Sequence, residues 1–450
     1  MSPYRPYPSY KESDIEWLGR VPSHWHVKRL KDVALCRNSN VDKKSYEGEQ
    51  PVELCNYTDV YYNEKITDSI NFMRATAKRE DILRFSLKSG DVIITKDSES
   101  ADDIGIPALV TESASGVVCG YHLTLIRPQE VMLGNYLFRV LCSFPSSTQF
   151  YLGASGVTRY GLGKGAIEGL LLSAPPIEEQ QAIATFLDRE TARIDALIEK
   201  KQRQIELLKE KRQAIITQAV TKGLDPNVPM KDSGVEWLGE VPEHWEVGKL
   251  RWLAKLQGGI AKGRDVTGKD AVTLPYLRVA NVQDGYVDLE NVKEISLLKS
   301  EVQRYLLAEK DVLMNEGGDN DKLGRGTVWK GQISPCIHQN HVFSVRTERR
   351  LIPEWLALYT RSTSAKAHFY LRSKQSTNLA SISASNIMDI TVPVPPPQEQ
   401  EAVLKYVNDT IGGLGAIGKK TERSIQLLQE RRSALITAAV TGQIDVREEV

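Results

Sequence analysis

The chain has 450 residues, and its 58 Lys and Arg residues are balanced by 58 Asp and Glu residues. An apolar fraction of 41% and a charged fraction of 26% are typical of a folded globular protein and exclude a disordered or fibrous chain. The length exceeds one ordinary core and predicts two or more domains. The balanced charge gives no reason by itself to expect a polyanionic partner.

The first residues are polar and rich in Pro and Tyr, without the basic start and apolar core of a secretory signal. No run of about 18 apolar residues, the length needed to span a bilayer, occurs in the chain. The five cysteines have no metal-like CxxC spacing and are expected to be reduced, mostly buried thiols. We therefore expect a cytoplasmic protein that does not enter a membrane.

The chain contains a long internal repeat. The segment KESDIEWLGRVPSHWHVKRL at 11–30 returns without a gap as KDSGVEWLGEVPEHWEVGKL at 231–250. At the same offset, APPIEEQQAIATFL at 174–187 aligns with VPPPQEQEAVLKYV at 394–407. This offset, as from Glu16 to Glu236, is far longer than the period of a solenoid and indicates a tandem duplication of one domain plus its helix.

The intervening segments differ much more between the two copies. Runs such as VVCGYHLTLI (117–126) predict strands, and PEWLALYTRS (353–362) predicts a helix, so these segments are expected to be α+β domains of irregular sheet. The predicted organisation is an N-terminal segment 1–34, a first variable domain 35–173, a central helix 174–222, a linker and second leading segment 223–254, a second variable domain 255–393, and a C-terminal helix and tail 394–450.

Each copy ends in a long amphipathic helix. Leu187, Ile194, Leu208 and Ile215 recur at sevens, as in one seam of a coiled coil. From Glu178 to Lys222 the helix would be about 65–70 Å long. Related by an approximate two-fold axis, the two helices are expected to run antiparallel, with the domains at opposite ends of a dumbbell. Glycines between 412 and 418 predict a bent or closely packed second helix.

A search for catalytic motifs is mostly negative. GRDVTGKD (263–270) has the spacing of a phosphate-binding loop, but Asp270 replaces the Ser or Thr that would bind magnesium. His24 and His244 have no neighbouring carboxylate or thiol cluster in sequence, so packing is the favoured interpretation over a ligand or base role. The paired tryptophans at 17, 25, 237 and 245 are likewise predicted to anchor the core. The chain is predicted to be non-catalytic.

Together these stretches identify a resemblance. Over essentially its whole length the chain resembles the specificity subunit of type I restriction–modification systems, through KDSGVEWLGEVPEHWEV (231–247), the helical stretch 175–226, VVCGYHLTLIRP (117–128) and VLMNEGGDNDKLGRGTVW (312–329). The resemblance implies an α+β fold in which two target recognition domains are separated by two long antiparallel coiled-coil helices, as a pseudo-two-fold internal repeat. It also implies that each domain reads one half of a split, asymmetric sequence in double-stranded DNA.

The resemblance further implies partners and cofactors. Two methyltransferase subunits would carry S-adenosylmethionine, motor-nuclease subunits would use ATP and magnesium, and this chain would hold none of these cofactors. Four residues at the helix starts are expected to be exposed and to contact partners: Glu179, Gln180, Glu399 and Gln400.

Candidate DNA contacts are polar and aromatic loop residues, of types that match base edges or phosphates. In the first domain they are Lys96, Ser98, Tyr121, His122, Arg159, Tyr160 and Lys164; in the second they are Arg278, Asn281, Asn315, Lys322, Arg325, Asn340, His341, Lys374 and Asn378.

Two other classes of protein stay open: a coiled-coil adaptor with two protein-binding heads, and an enzyme with an unrecognised site. Exchange of 35–173 would change one half of a methylated sequence only in a DNA reader, and an enzyme would turn over alone.

Overall fold

The computed structural model describes residues 4–111, 117–263, 268, 270–318, 323–375 and 380–449. Two compact units divide the chain: unit 1 comprises Met1–Gln202 with Arg423–Val450, and unit 2 comprises Arg203–Glu422. Each unit contains one variable domain and a part of both long helices.

Unit 1 is an α+β structure. Its strands are β1 (Tyr10–Glu12), β2 (Arg20–Pro22), β3 (His26–Arg29), β4 (Ala34–Asn38), β5 (Gln50–Cys55), β6 (Lys65–Ile66), β7 (Met73–Ala77), β8 (Val92–Thr95), β9 (Asp97–Ser98), β10 (Pro107–Val110), β11 (Val117–Cys119), β12 (Leu123–Pro128), β13 (Ala154–Ser155), β14 (Tyr160–Leu162) and β15 (Leu171–Ala174). Its helices are α1 (Leu30–Val33), α2 (Tyr57–Tyr61), α3 (Arg79–Phe85), α4 (Gly134–Leu141), α5 (Phe144–Gly153), α6 (Lys164–Glu168) and the first part of α7 (Ile177–Lys222).

Unit 2 repeats this plan. Its strands are β16 (Met230–Asp232), β17 (Glu240–Pro242), β18 (Glu246–Lys249), β19 (Ala254–Gln257), β20 (Ala271–Leu277), β21 (Lys293–Leu298), β22 (Val312–Asn315), β23 (Gly317–Gly318), β24 (Gly326–Val328), β25 (Ile337–His338), β26 (Val342–Thr347), β27 (Lys374–Gln375), β28 (Ala380–Ser381) and β29 (Thr391–Val394). Its helices are α8 (Val302–Tyr305), α9 (Pro353–Tyr359), α10 (Thr363–Arg372), α11 (Ala384–Met388) and the first part of α12 (Pro397–Val440), with short 3₁₀ turns at 250–252, 279–281 and 299–301.

The two variable domains share a sheet topology. In unit 1 the main sheet has the order β4-β12-β8-β10-β6, beside a second sheet β11-β5-β7 and a small sheet β13-β14-β9. In unit 2 the corresponding sheets are β19-β26-β22-β24, which has one strand fewer among the described residues, β21-β20-β25 and β23-β28-β27. The leading segment closes each domain, because β3 pairs with β15 and β18 pairs with β29. The structure therefore confirms the predicted internal repeat.

The helices and their domains share one core within each unit. In unit 1, Ile94 and Leu137 of the domain lie in the same buried cluster as Leu187 of α7 and Ile436 of α12. In unit 2, Met314 and Trp355 share a cluster with Ile216 and Val403. The helices are antiparallel in unit 1, since Arg432 of α12 contacts Asp195 of α7, and the chain that follows the end of α12 reaches the first turn of α7, where Arg447 contacts Glu179. Continuous burial of this kind fixes each domain to its helices.

The repeated tryptophans have different roles. Trp25 and Trp245 are fully buried, as predicted, and each donates its indole N–H to a glutamate at the start of a long helix, Trp25 to Glu179 at 2.8 Å and Trp245 to Glu399 at 3.0 Å. His24 contacts Glu179 as well, at 2.6 Å. Its carboxylate partner thus comes from a distant part of the sequence. Trp17 is 41% exposed, so the prediction that it anchors the core is wrong.

The glutamines that follow these glutamates are also structural. Gln180 and Gln400 are fully buried. Gln180 accepts the Leu133 N–H at 2.8 Å and donates to the carbonyls of Val131 and Pro175. Gln400 makes the same bonds in unit 2 with Ile352, Arg350 and Pro395. The prediction that Glu179, Gln180, Glu399 and Gln400 are exposed is therefore wrong for the first, second and fourth, while Glu399 is half-buried, because all four side chains join a helix to its own domain.

The glycines of α12 do not interrupt the helix, which is continuous from Pro397 to Val440. A Cβ atom added at Gly412, Gly413, Gly415 or Gly418 would meet nothing within 4 Å. The expected close packing at these positions is thus not found. Gly413→Ala is expected to stabilise unit 2 by about 1 kcal/mol, the difference in helix propensity. A thermal melt would show this as a raised midpoint, and a lowered midpoint would contradict it.

Candidate nucleic-acid interface

A cluster of predicted contact residues forms where β8, β12 and the small sheet of unit 1 meet. Lys96 Nζ lies 5.0 Å from the centroid of the Tyr121 ring, within cation–π range. The Tyr121 and His122 rings have their centroids 4.1 Å apart. The strand pairing of β9 with β14 places Ser98 opposite Tyr160. Five residues from three separate sequence segments are thus brought together.

His122 is held in an unusual conformation. Its φ angle is 73°, in the left-handed region that only a few per cent of non-glycine residues adopt, with Asn, Asp and His enriched among them. Its Nδ1 atom lies 2.6 Å from Asp97 Oδ2, and Lys96 Nζ lies 2.7 Å from the same oxygen. Burial opposes ionisation of Asp97, but the hydrogen bonds from Lys96 and His122 outweigh it and lower the carboxyl pKa. Asp97 is therefore ionised at neutral pH.

The remaining first-domain candidates are less constrained. Arg159 is exposed beside Tyr160. Lys164 is exposed on α6, where its Nζ lies 3.4 Å from Glu168. Both cations are free to rearrange toward a polyanion at small cost, since an exposed ion pair is worth at most about 1 kcal/mol.

Unit 2 has a histidine at the same place. His341 precedes β26 as His122 precedes β12, and its Nδ1 atom lies 2.6 Å from Glu316 Oε2. Asn340 Nδ2 lies 3.3 Å from the other ring nitrogen. Lys374 is exposed on β27. This strand belongs to the small sheet that also contains β23, which starts at the residue after Glu316.

A second group of predicted residues surrounds the loop 278–291. Asn281 and Asn315 are buried. The Asn281 side chain donates to Asp288 O at 2.9 Å, and that of Asn315 donates to Val282 O at 3.1 Å. Arg278 donates to Asn291 O at 2.9 Å, and Arg325 donates to Gln283 Oε1 at 3.2 Å. These side chains shape the loop. Lys322 and Asn378, and most of the GRDVTGKD segment, lie outside the described residues.

Sequence reasoning missed Asp97 and Glu316. The predicted contacts are basic, amide, hydroxyl and aromatic residues, and no carboxylate is among them. The aligned strands SGDVIIT (89–95) and EKDVLMN (309–315) were the available signal, because each is followed directly by a segment that contains a carboxylate.

Two ion pairs, each with a buried aspartate, hold the strands that carry these clusters. Arg127 of β12 binds Asp91, just before β8, through both carboxylate oxygens at 2.7 and 2.6 Å. Arg346 of β26 binds Asp311 in the same way at 2.7 and 2.8 Å. Hydrogen bonding to Asp91 raises the pKa of the Arg127 guanidinium. Bidentate pairs of this kind fix geometry as well as charge, so the position of each histidine is set by its sheet.

Other features of the described residues bear on the class of protein. None of their helices is both long enough and apolar enough to span a bilayer. No group of three or more His, Cys, Asp or Glu residues among them is arranged to hold a metal ion. All five cysteines are free and four are buried, as predicted, and burial raises the pKa of the Cys36 thiol to about 12. Two domains of related topology, each with a polar cluster at the same place, define a duplicated protein in which each domain packs on the long helices.

Comparison with known proteins identifies the family. Residues 22–207 and 242–426 match the type I restriction modification DNA specificity domain. These two matches cover most of the chain, one in each half, and the chain therefore belongs to this family.

Curated relatives extend over nearly the whole chain. A putative type I restriction enzyme MjaX specificity subunit from Methanocaldococcus jannaschii is 24% identical over 458 residues, covering 97% of this chain and 98% of that protein. The type I restriction enzyme EcoKI specificity subunit from Escherichia coli K12 is 21% identical over 438 residues, covering 95% and 90%.

Solved structures share the fold. A chain from a type I R-M system, studied for its complex assembly and conformational transition, matches with a TM-score of 0.69 at 16% identity, covering 93% of this chain and 98% of that chain. The HsdS subunit from Thermoanaerobacter tengcongensis matches with a TM-score of 0.53 at 16% identity, covering 94% and 98%.

Proposed function

We propose that this chain is the non-catalytic, sequence-reading subunit of a type I restriction–modification complex. Each recognition domain reads one half of a bipartite, asymmetric target in double-stranded DNA. The helices set the spacing between the half-sites and dock two methyltransferase subunits. Motor-nuclease subunits complete the assembly in the cytoplasm, and S-adenosylmethionine, ATP and magnesium are bound by the partners.

The observation that carries the proposal is the matched position of two differently built clusters. Unit 1 presents Lys96, Tyr121 and His122, whereas unit 2 presents Glu316, Asn340 and His341. A local two-fold axis relates the two strands of a duplex, and a protein with two matched heads can meet it at a fixed half-site separation. Because the contacting residues differ, the two half-sites should differ in sequence.

The balanced net charge of the chain is compatible with this role. Phosphate contacts supply much of the affinity of DNA-binding proteins and depend steeply on salt. Subunits that bind together with this chain can provide part of the affinity for phosphates, which leaves the recognition domains to discriminate between sequences.

Methylation mapping in cells tests the proposal. Deletion of the gene, in cells that express the methyltransferase partner, is expected to abolish adenine methylation at one bipartite motif and to leave other motifs unchanged. Re-expression of the chain should restore that motif, and re-expression with an exchanged first domain should change only one of its halves. An unchanged set of methylated motifs would contradict the proposal, and altered protein partners without altered methylation would favour the adaptor.

A further inference from the structure

The two recognition domains keep one arrangement although the residues around it have diverged. In each, a histidine directly before the second strand of the main sheet, β12 or β26, places Nδ1 at 2.6 Å from a carboxylate oxygen, of Asp97 in unit 1 and of Glu316 in unit 2. Both rings are partly exposed, with 24% of the His122 side chain and 54% of the His341 side chain accessible.

The carboxylates do not occupy equivalent positions. Lys96 N donates to His122 O at 2.9 Å, and Glu316 N donates to His341 O at the same distance. The carbonyls of Lys96 and Glu316 in turn accept at 2.8 Å from Leu162 and Ile382. Residue 316 therefore corresponds to residue 96, and the carboxylate of unit 1 comes from the next residue. The two copies thus make the same histidine–carboxylate contact with carboxylates from different positions, which inheritance from a single duplicated domain does not by itself explain.

The charges around the two rings differ. The titratable groups on the segments around His122 are Lys96, Asp97, Tyr121, Arg159 and Tyr160, and those around His341 are Glu316, Arg325 and Lys374. With a neutral ring, the three directly contacting groups sum to zero in unit 1, where Lys96 balances Asp97. In unit 2 the His341–Glu316 pair then carries one negative charge.

We propose that in each recognition domain this pair contacts an acceptor atom of DNA in its carboxylate–imidazolium form, so that each domain takes up one proton when it binds. The inference rests on the proposed function. Asp97 and Glu316 act as positioning residues: each holds the Nδ1–H, and Nε2–H donates to the DNA.

The physical reason is the field of the duplex. A carboxylate facing phosphates is repelled unless a cation accompanies it, and protonation of the ring makes each cluster more positive by one charge. The carboxylate also stabilises the imidazolium and fixes its orientation. Among the described residues, His122 Nε2 has no hydrogen-bond partner within the protein, which leaves it available to a ligand. His341 Nε2 lies 3.3 Å from the Asn340 amide nitrogen, so in unit 2 the asparagine side chain must turn away before Nε2–H can donate to DNA.

The test is the pH dependence of DNA binding. The full chain, purified with its methyltransferase subunits, would be titrated at constant salt with a labelled duplex carrying the mapped motif and with a scrambled duplex. The variants are His122→Asn, which suits a positive φ, His341→Asn, and the double variant. His26→Asn is the matched control, because His26 is exposed on β3 of the leading segment. Asp97→Asn and Glu316→Gln test the same proton if a histidine variant does not fold.

For the unmodified complex the affinity is expected to fall as the pH rises, by up to about tenfold per pH unit for each proton taken up on binding. Each single variant should lose one such proton, the double variant both, and His26→Asn none. Loss on both duplexes alike would place the contact on a phosphate, and loss on the mapped motif alone would place it on a base. Variants with the unmodified pH dependence would overturn the inference while leaving the proposed function intact. An unmodified complex that does not distinguish the two duplexes would instead contradict the proposed function.

Discussion

Arg127→Leu is expected to lower the free energy of unfolding of unit 1 by about 3–5 kcal/mol, the usual cost of leaving one partner of a buried ion pair unpaired. The Asp91 side chain is 2% exposed and that of Arg127 is 24% exposed. Asp91 also accepts the Lys88 N–H at 2.8 Å. Without the guanidinium, the Asp91 carboxyl group would stay buried near β8 and β12 without its ion-pair partner.

Unit 2 offers an internal comparison. Arg346 makes the same bidentate contact with Asp311, but 53% of its side chain is exposed. Water therefore weakens this pair more than the first, and Arg346→Leu should cost less than Arg127→Leu. Arg20→Leu is the control, because Arg20 and Glu12 form a well-exposed pair at 3.8 Å, and such pairs are worth at most about 1 kcal/mol.

Chemical denaturation would measure these differences, with separate analysis of the two units, since a chain with two cores need not unfold in one step. Equal losses for Arg127→Leu and Arg20→Leu would contradict the assignment of Asp91–Arg127 as a buried structural pair. Because β8 and β12 position Lys96 and His122, we also expect Arg127→Leu to weaken recognition of the half-site read by unit 1 more than recognition of the other half-site.

Local pattern was sufficient to predict the regular parts of the fold. The heptad spacing of Leu187 and Ile194 predicted the first long helix, whose observed start at Ile177 is one residue from the predicted Glu178. This spacing acts between residues close in sequence, and the gapless recurrence of 11–30 at 231–250 indicated the duplication.

Contacts between distant segments were not predictable in the same way. Nothing in the sequence around His24 indicates that Glu179 lies 2.6 Å away, because that contact depends on closure of the domain by β3 and β15. For the same reason the sequence does not indicate that Gln180 is buried, with its side-chain amide hydrogen-bonded to Leu133 N and Val131 O. An alignment of the two diverged halves also does not reveal the shared histidine–carboxylate contact. The carboxylate is Asp97 in unit 1 but Glu316 in unit 2, and residue 316 corresponds to residue 96.

The candidate site illustrates both cases. His122 and His341 were predicted from residue type and lie at equivalent places. Asn281 and Asn315 were predicted by the same criterion but are buried and bonded to loop carbonyls. Residue type alone cannot separate an amide that shapes a loop from one that faces a ligand, since both need the same hydrogen-bonding groups.

Glu179→Ala is expected to destabilise unit 1 by about 2–3 kcal/mol, because it leaves the buried Trp25 indole N–H without an acceptor. The Glu179 side chain is 11% exposed, and its Oε1 atom also lies 2.6 Å from His24 Nε2, whereas the Glu399 side chain is 31% exposed. Water can therefore replace part of the lost bond in unit 2, and Glu399→Ala should cost less. Denaturation followed by tryptophan fluorescence would measure both effects.

The matched control is Glu178→Ala, one residue earlier in the same first turn of α7 but exposed. It removes the same charge from the helix N-terminus, where a carboxylate is worth about 0.3–1 kcal/mol, without removing the acceptor of Trp25. A loss for Glu178→Ala equal to that for Glu179→Ala would mean that helix electrostatics, and not the tryptophan bond, explain the effect. A larger loss of stability for Glu179→Ala would show that the hydrogen bond between Trp25 of the repeated P-x-H-W segment and Glu179 of α7 stabilises unit 1. The equivalent bond between Trp245 and Glu399 would then attach the second domain to its helix in the same way.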